Sequence, residues 1–171
     1  MSTKTATLRL AGDGLRFDAV AGSGHTLVLD DGVGDAGMRP AELIPLAVAG
    51  CTAFDVISIL RKKQQPVTRY AIHASGEQRD AIHPQLFLSV TIVHEIEGAV
   101  DPAAIRRAIE LSAAKYCSVG ATVASGICTI AHRYRLRTPD GAVHEEDVIV
   151  EGPYAGREAL LAARADAPPA G

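Results

Sequence analysis

RPAELIPLAVAGCTAFDVISILRKK, running from Arg39 to Lys63, is the stretch on which the reading of this chain turns. Residues 43–60 form an apolar run long enough to cross a bilayer, and Arg61, Lys62 and Lys63 follow as a basic flank. Pro45, Gly50, Thr52, Asp55 and Ser58 interrupt that run. A mid-span aspartate alone costs about 2.5–3.5 kcal/mol on the lenient insertion scale. The stretch therefore predicts a buried core helix over about 41–63 and no membrane partner. Pro40 suits the helix start, whereas Pro45 should delay or kink its regular part. Cys51 sits near the middle.

The flanking sequence supplies strands to cover such a helix. Upstream, TATLRL (5–10) and LRFDAV (15–20) alternate apolar and polar residues around a Gly12-Asp13-Gly14 turn, and TLVLD (26–30) follows. Downstream, 67–75 and 85–97 read as strands, the second with Leu86, Leu88, Val90 and Ile92 on one face. Asp101-Pro102 opens a helix as N-cap and first residue. Ile105, Ile109, Leu111 and Tyr116 mark its buried side, and it ends near Cys117. Residues 127–136 form a last strand, with Cys128, Ile130, His132, Tyr134 and Leu136 sharing a face. The order βββ–α–ββ–α–β predicts an α+β fold, with antiparallel strands around one apolar central helix. Residues 1–137 are expected to form one domain. Residues 138–171 form a C-terminal extension with a short strand, a short helix over REALLAARA and a disordered DAPPAG end.

Composition excludes several function classes. Among 171 residues there is no Trp, aromatics are 4%, and the net charge is −3. A base-stacking surface needs aromatic platforms and phosphate binding needs basic patches, so no nucleic-acid partner is expected. No GxxxxGK[ST] occurs, and neither CxxC nor HxxxH, so neither a nucleotide cofactor nor a metal is expected. MSTKTATLRLAGDG lacks the apolar region of a secretory leader, and three cysteines make no disulfide framework; a cytoplasmic setting with reduced thiols follows. Arg133, Arg135 and Arg137 alternate outward and read as a solvated face.

The cysteines remain open on residue chemistry alone. Free cysteine is among the most buried residue types and usually acts as a small hydrophobe. Cys128, beside Ile130, fits that description. Cys51 in its apolar helix does as well. Cys117, next to Lys115 and at a helix end, is the more open case.

Three segments together, RPAELIPLAVAGCTAFDVISILRKK (39–63), SAAKYCSVGATV (112–123) and TIAHRYRL (129–136), resemble the OsmC/Ohr family, and within it the small YhfA-type branch. The resemblance covers roughly residues 5–137. It implies an OsmC-like fold and an interwoven homodimer whose two cysteines lie near the subunit interface and reduce organic hydroperoxides. Cys51 matches the peroxidatic position and Cys117, far along the chain, the resolving one. The implied reductant is a small dithiol or a lipoylated protein, and the implied substrate a small hydrophobic hydroperoxide.

A thiol with a pKa near 8.5 needs help to ionise at neutral pH. In the family's active peroxidases a hairpin arginine gives that help, held by a carboxylate upstream of the first cysteine. Here Gly12 stands where that arginine belongs, so Arg16, Arg9 and Arg39 are the substitutes to examine. Glu42 stands one residue beyond the usual carboxylate position, where it can cap, pair with Arg39 or serve the site. A non-catalytic OsmC-like dimer that binds a small hydrophobic ligand is the alternative expectation.

Overall fold

The computed structural model describes residues 3–148. Three short strands come first: β1 (Ala6–Leu10), β2 (Phe17–Ala21) and β3 (Thr26–Leu29), paired antiparallel in that order. The expected turn closes β1 onto β2. Gly12 takes the left-handed φ of +81°, and the Ala11 N–H donates to the Arg16 carbonyl at 2.9 Å. A 3₁₀ turn over Pro40–Glu42 leads into α1 (Leu43–Lys62). Because α1 starts at Leu43, Pro45 lies in its first turn, where a backbone N–H has no intrahelical partner to lose. The helix therefore runs unbroken to Lys62.

Two long strands follow, β4 (Val67–Gln78) and β5 (Phe87–Gly98), then α2 (Pro102–Leu111). Asp101 caps α2 as its sequence foretells, its Oδ1 accepting the Ala103 N–H at 2.9 Å with Pro102 at the first position. A wide π-type turn over Ser112–Tyr116 leads to a short α3 (Ser118–Val123), which the sequence reading did not anticipate. β6 (Thr129–Arg137) and β7 (Val143–Val148) complete a four-stranded sheet ordered β4-β5-β6-β7.

The α+β class holds, with one correction to its antiparallel strands: β5 and β6 run parallel. The chain between them crosses over through α2 and returns to the same end of the sheet, which a parallel pair requires. The expected face of the second strand also shifts. Val90, Ile92, His94 and Ile96 are buried, but Leu86 and Leu88 at its start are 40% and 44% exposed. Tyr116, expected on the buried side of its helix, is half exposed, because the backbone widens after Leu111 and turns it outward.

Residues beyond 137 begin by extending the sheet. β7 pairs antiparallel with β6, and its acidic residues answer the arginine stripe. Arg133 makes a bidentate pair with Asp147 at 2.6 and 2.8 Å, and Arg135 pairs with Glu145 at 2.8 Å. The expected REALLAARA helix and DAPPAG end lie outside the described residues.

The chain divides between Ile44 and Pro45 into two compact units. In the first, every β1 residue is exposed. In the second, two apolar clusters form on the inner face of the sheet. One joins Val56 and Leu60 of α1 with Ile105 and Ile109 of α2, Ile96, Tyr134 and Leu136; the other joins Val48 and Ala49 with Val90, Ile92 and Cys128. Each fully buried aliphatic side chain contributes about 1.5–3 kcal/mol. α1 departs from the expected core helix, since only 28% of its apolar stretch is buried within the chain and Phe54 is 79% exposed. Its apolarity exceeds what this sheet can cover.

Candidate functional site

Among the described residues of the second unit, the buried polar side chains are Thr52, His94, Ser112 and His132. A buried polar group needs a partner, and the partners separate these residues into two groups.

The first group surrounds the cysteines. Cys51 lies in the third turn of α1 and Cys117 at the N-cap of α3, yet their sulfurs and a carboxylate oxygen of Asp55 all lie within 4.8 Å of one another. The helix explains part of this, because Asp55 is four residues after Cys51 and shares its face. The turn over Ser112–Tyr116 explains the rest. It brings the Ser112 hydroxyl to Asp55 Oδ2 at 2.9 Å and delivers Cys117 beside α1. Thr52 Oγ1 donates to Cys117 Sγ at 3.6 Å and the Gly120 N–H donates to it at 3.2 Å. A Cβ at Gly120 would stand 3.1 Å from that sulfur, so the missing side chain allows the close approach.

All three cysteines are free thiols; Cys51 is half-buried, while Cys117 and Cys128 are buried. Burial, and then the hydrogen bond its thiol gives to Cys51, push Cys117 up to about 11, while the donors Gly120 and Thr52 pull the other way. Burial also raises Cys128, whose sulfur donates only to the neighbouring Thr129 carbonyl at 3.6 Å.

The second group is a row across the sheet. Tyr70 Oη bonds His94 Nδ1 at 2.8 Å, and His94 Nε2 lies 3.4 Å from His132 Nδ1. One consistent proton arrangement has Tyr70 donating to His94 and His94 donating to His132. Burial lowers His94 to about 3, helped by the charge that His132 would carry, and burial lowers His132 to about 4. Both imidazoles are therefore neutral.

Three of the expected auxiliary residues, Arg16, Arg39 and Glu42, are engaged within the first unit. Arg16 pairs with Asp18 at 3.3 Å, and Arg39 pairs with Asp35 at 2.7 Å. Glu42 Oε2 accepts the Arg39 backbone N–H at 2.9 Å, so of the three roles open to it the carboxylate takes the cap. Among the described residues of the second unit, no lysine or arginine bonds to Cys51, Cys117 or Asp55. The sequence reading missed Asp55 as a site residue. Its signal was present in the spacing of four from Cys51.

Residues 32–132 match the family model described as OsmC-like protein. The chain is 35% identical over 125 residues to Protein YhfA of Escherichia coli K12, covering 72% of this chain and 92% of that protein. The crystal structure of a hypothetical protein from Aquifex aeolicus VF5 has a TM-score of 0.70 at 28% identity, covering 81% of this chain and 98% of that one. The organic hydroperoxide resistance protein OhrB of Bacillus subtilis shares the fold, with a TM-score of 0.57 at 14% identity over 78% of this chain and 98% of that one. The family-model match contains Cys51, Asp55 and Cys117 together. Its span and the YhfA identity establish that the chain belongs to the OsmC-like family.

Proposed function

We propose that the protein is a thiol-dependent peroxidase that reduces organic hydroperoxides through a Cys51/Cys117 cycle. One observation carries the reading: two sulfurs remote from each other in sequence converge within 4.8 Å. Membership of a family that includes hydroperoxide-reducing enzymes supports it. The order of the two follows from exposure, since Cys51 is half-buried and Cys117 buried.

In the first step the Cys51 thiolate attacks the distal peroxide oxygen. The O–O bond breaks, an S–O bond forms, and the alcohol leaves with the thiol's proton, giving a sulfenic acid. Cys117 then attacks the sulfenic sulfur; an S–S bond forms and water leaves. A dithiol or a lipoylated protein restores both thiols by exchange and is itself oxidised to a disulfide. The Cys117 thiol donates to Cys51, and its raised pKa keeps it protonated until that second step. The cycle asks for a cation beside Cys51, and Arg16 and Arg39 are the candidates. Each sits in an exposed ion pair that solvent screens, so exchanging partners costs little. We place this chemistry in a cytoplasmic homodimer, with Phe54 and the exposed β1 strand as surface for the second copy.

The test is a count of free thiols after adding cumene hydroperoxide to the reduced protein. Two thiols per chain should be lost, and Cys51→Ser should abolish the loss. The second reading, a non-catalytic dimer binding a small hydrophobic ligand, is favoured by the burial that holds the Cys117 thiol in its protonated form. Thiols left intact under excess oxidant select it.

A further inference from the structure

Cys51 and Cys117, once ionised, join Asp55 as three anionic acceptors at one point. Like charges this close repel one another, the more so away from bulk water, unless a cation lies between them. The hydrogen bonds at the site reinforce this acceptor character. Ser112 donates to Asp55 Oδ2, leaving the other oxygen open, while Thr52 and Gly120 donate to Cys117 Sγ. Donors in those places steady a ligating carboxylate and a thiolate, as the outer partners of metal ligands do.

We propose that Cys51, Asp55 and Cys117 bind one divalent cation of the zinc class, with two thiolates and one carboxylate as ligands. Bond lengths of about 2.3 Å to sulfur and about 2.0–2.2 Å to oxygen put tetrahedral ligand atoms roughly 3.3–3.8 Å apart. The observed spread, within 4.8 Å, needs only a small contraction. Cys51 and Asp55 are half-buried, so the ion has a way in and a fourth position is left for water or another ligand. On binding, two S–H bonds break, two metal–sulfur bonds and one metal–oxygen bond form, and two protons leave to solvent; no electron moves. Sequence motifs for zinc depend on close spacing along the chain, and this set is drawn from two distant segments. The proposal does not rest on the peroxidase reading. If both hold, metal and peroxide compete for the same sulfurs.

The experiment adds Co²⁺ to the reduced, metal-free full-length protein, following thiolate-to-cobalt charge transfer in the near ultraviolet and proton release in weak buffer. Saturation is expected at one ion per chain with two protons released, and Zn²⁺ should displace the colour. Cys51→Ser should remove most of the band, Cys128→Ser should leave it, and Ser112→Ala should weaken affinity about 10–100-fold. Circular dichroism checks each fold. Should a cysteine variant unfold, Asp55→Asn, which keeps both thiols, carries the same arm and must weaken binding at least about 10-fold. Absence of the band in excess Co²⁺, an unchanged band in Cys51→Ser, or unaltered affinity in Asp55→Asn overturns the proposal. Peroxide-driven thiol loss in metal-free protein is read separately and survives any of these results.

Discussion

The sulfur site and the Tyr70–His94–His132 row both put polar atoms into the interior of the same unit, but they satisfy them differently. In the row, each group hydrogen-bonds to the next, and the two imidazoles are 0% and 4% exposed. At the sulfur site, acceptors converge from α1 and α3, and two of the three ligand-bearing residues reach solvent. A closed chain of donors and acceptors is a structural solution to burial. A nest of acceptors with an opening toward solvent is arranged for something that arrives.

The row offers the largest effect by which this contrast can be tested. In the unfolded chain both histidines titrate near 6.5, but in the fold His94 is lowered to about 3 and His132 to about 4. Their stabilising contribution is therefore complete above pH ~6.5 and is lost as the pH falls toward those lowered values. Urea unfolding between about pH 7 and pH 5, above the range of ordinary carboxylates, should show a loss on the order of a few kcal/mol. His132→Gln, which keeps a hydrogen-bonding group, should flatten part of that slope while leaving peroxide-driven thiol loss at neutral pH unchanged. A flat wild-type profile would refute the buried neutral pair. Impaired thiol chemistry in a folded His132→Gln would break the division into two regions.

The sulfur site predicts the opposite pH sense and a smaller effect. Cys117 is raised to about 11, so its contribution is intact below the ordinary thiol pKa and disappears as the pH climbs from about 9 to about 11. Lysines and tyrosines titrate there too, which makes the informative quantity the difference between wild type and Cys117→Ser. The loss on the order of 2 kcal/mol should be present in wild type and absent from the variant. Parallel alkaline curves would mean that the Cys117 thiol is not held by its partners.

What the sequence disclosed of these regions depended on range. The Asp101–Pro102 start and the period of two in Ile130, His132, Tyr134 and Leu136 are local signals, and both elements formed where they pointed. The parallel β5–β6 ladder was hidden, because it depends on where the chain returns after α2. So was the partner of the arginine stripe. A short strand was expected after residue 137, but its pairing was not, and Glu145 and Asp147 face Arg135 and Arg133 in register. Cys51 and Cys117 came together through a family resemblance, since so long a gap along the chain carries no geometric information. Asp55 was visible as a break in an apolar run. Its cost in a membrane drew notice before its position one turn from Cys51 did.

The smallest effect belongs to Cys128, the control for both regions. It is 6% exposed beside Cys117 at 3%, so burial alone does not tell a working cysteine from a packing one. Its neighbours do: Val48, Ala49, Val90 and Ile92 enclose it, and its thiol reaches only the next carbonyl. Cys128→Ala should therefore cost about 1 kcal/mol in urea unfolding, the ordinary loss for removing one packed atom. It should leave unchanged both the two-thiol loss to cumene hydroperoxide and the Co²⁺ stoichiometry. A folded Cys128→Ala that lost either activity would implicate the contact surface around Ile130, which packs on this cluster and would lie 3.6 Å from a Cβ at Gly120. The sulfur site would then extend through Gly120 to a third cysteine.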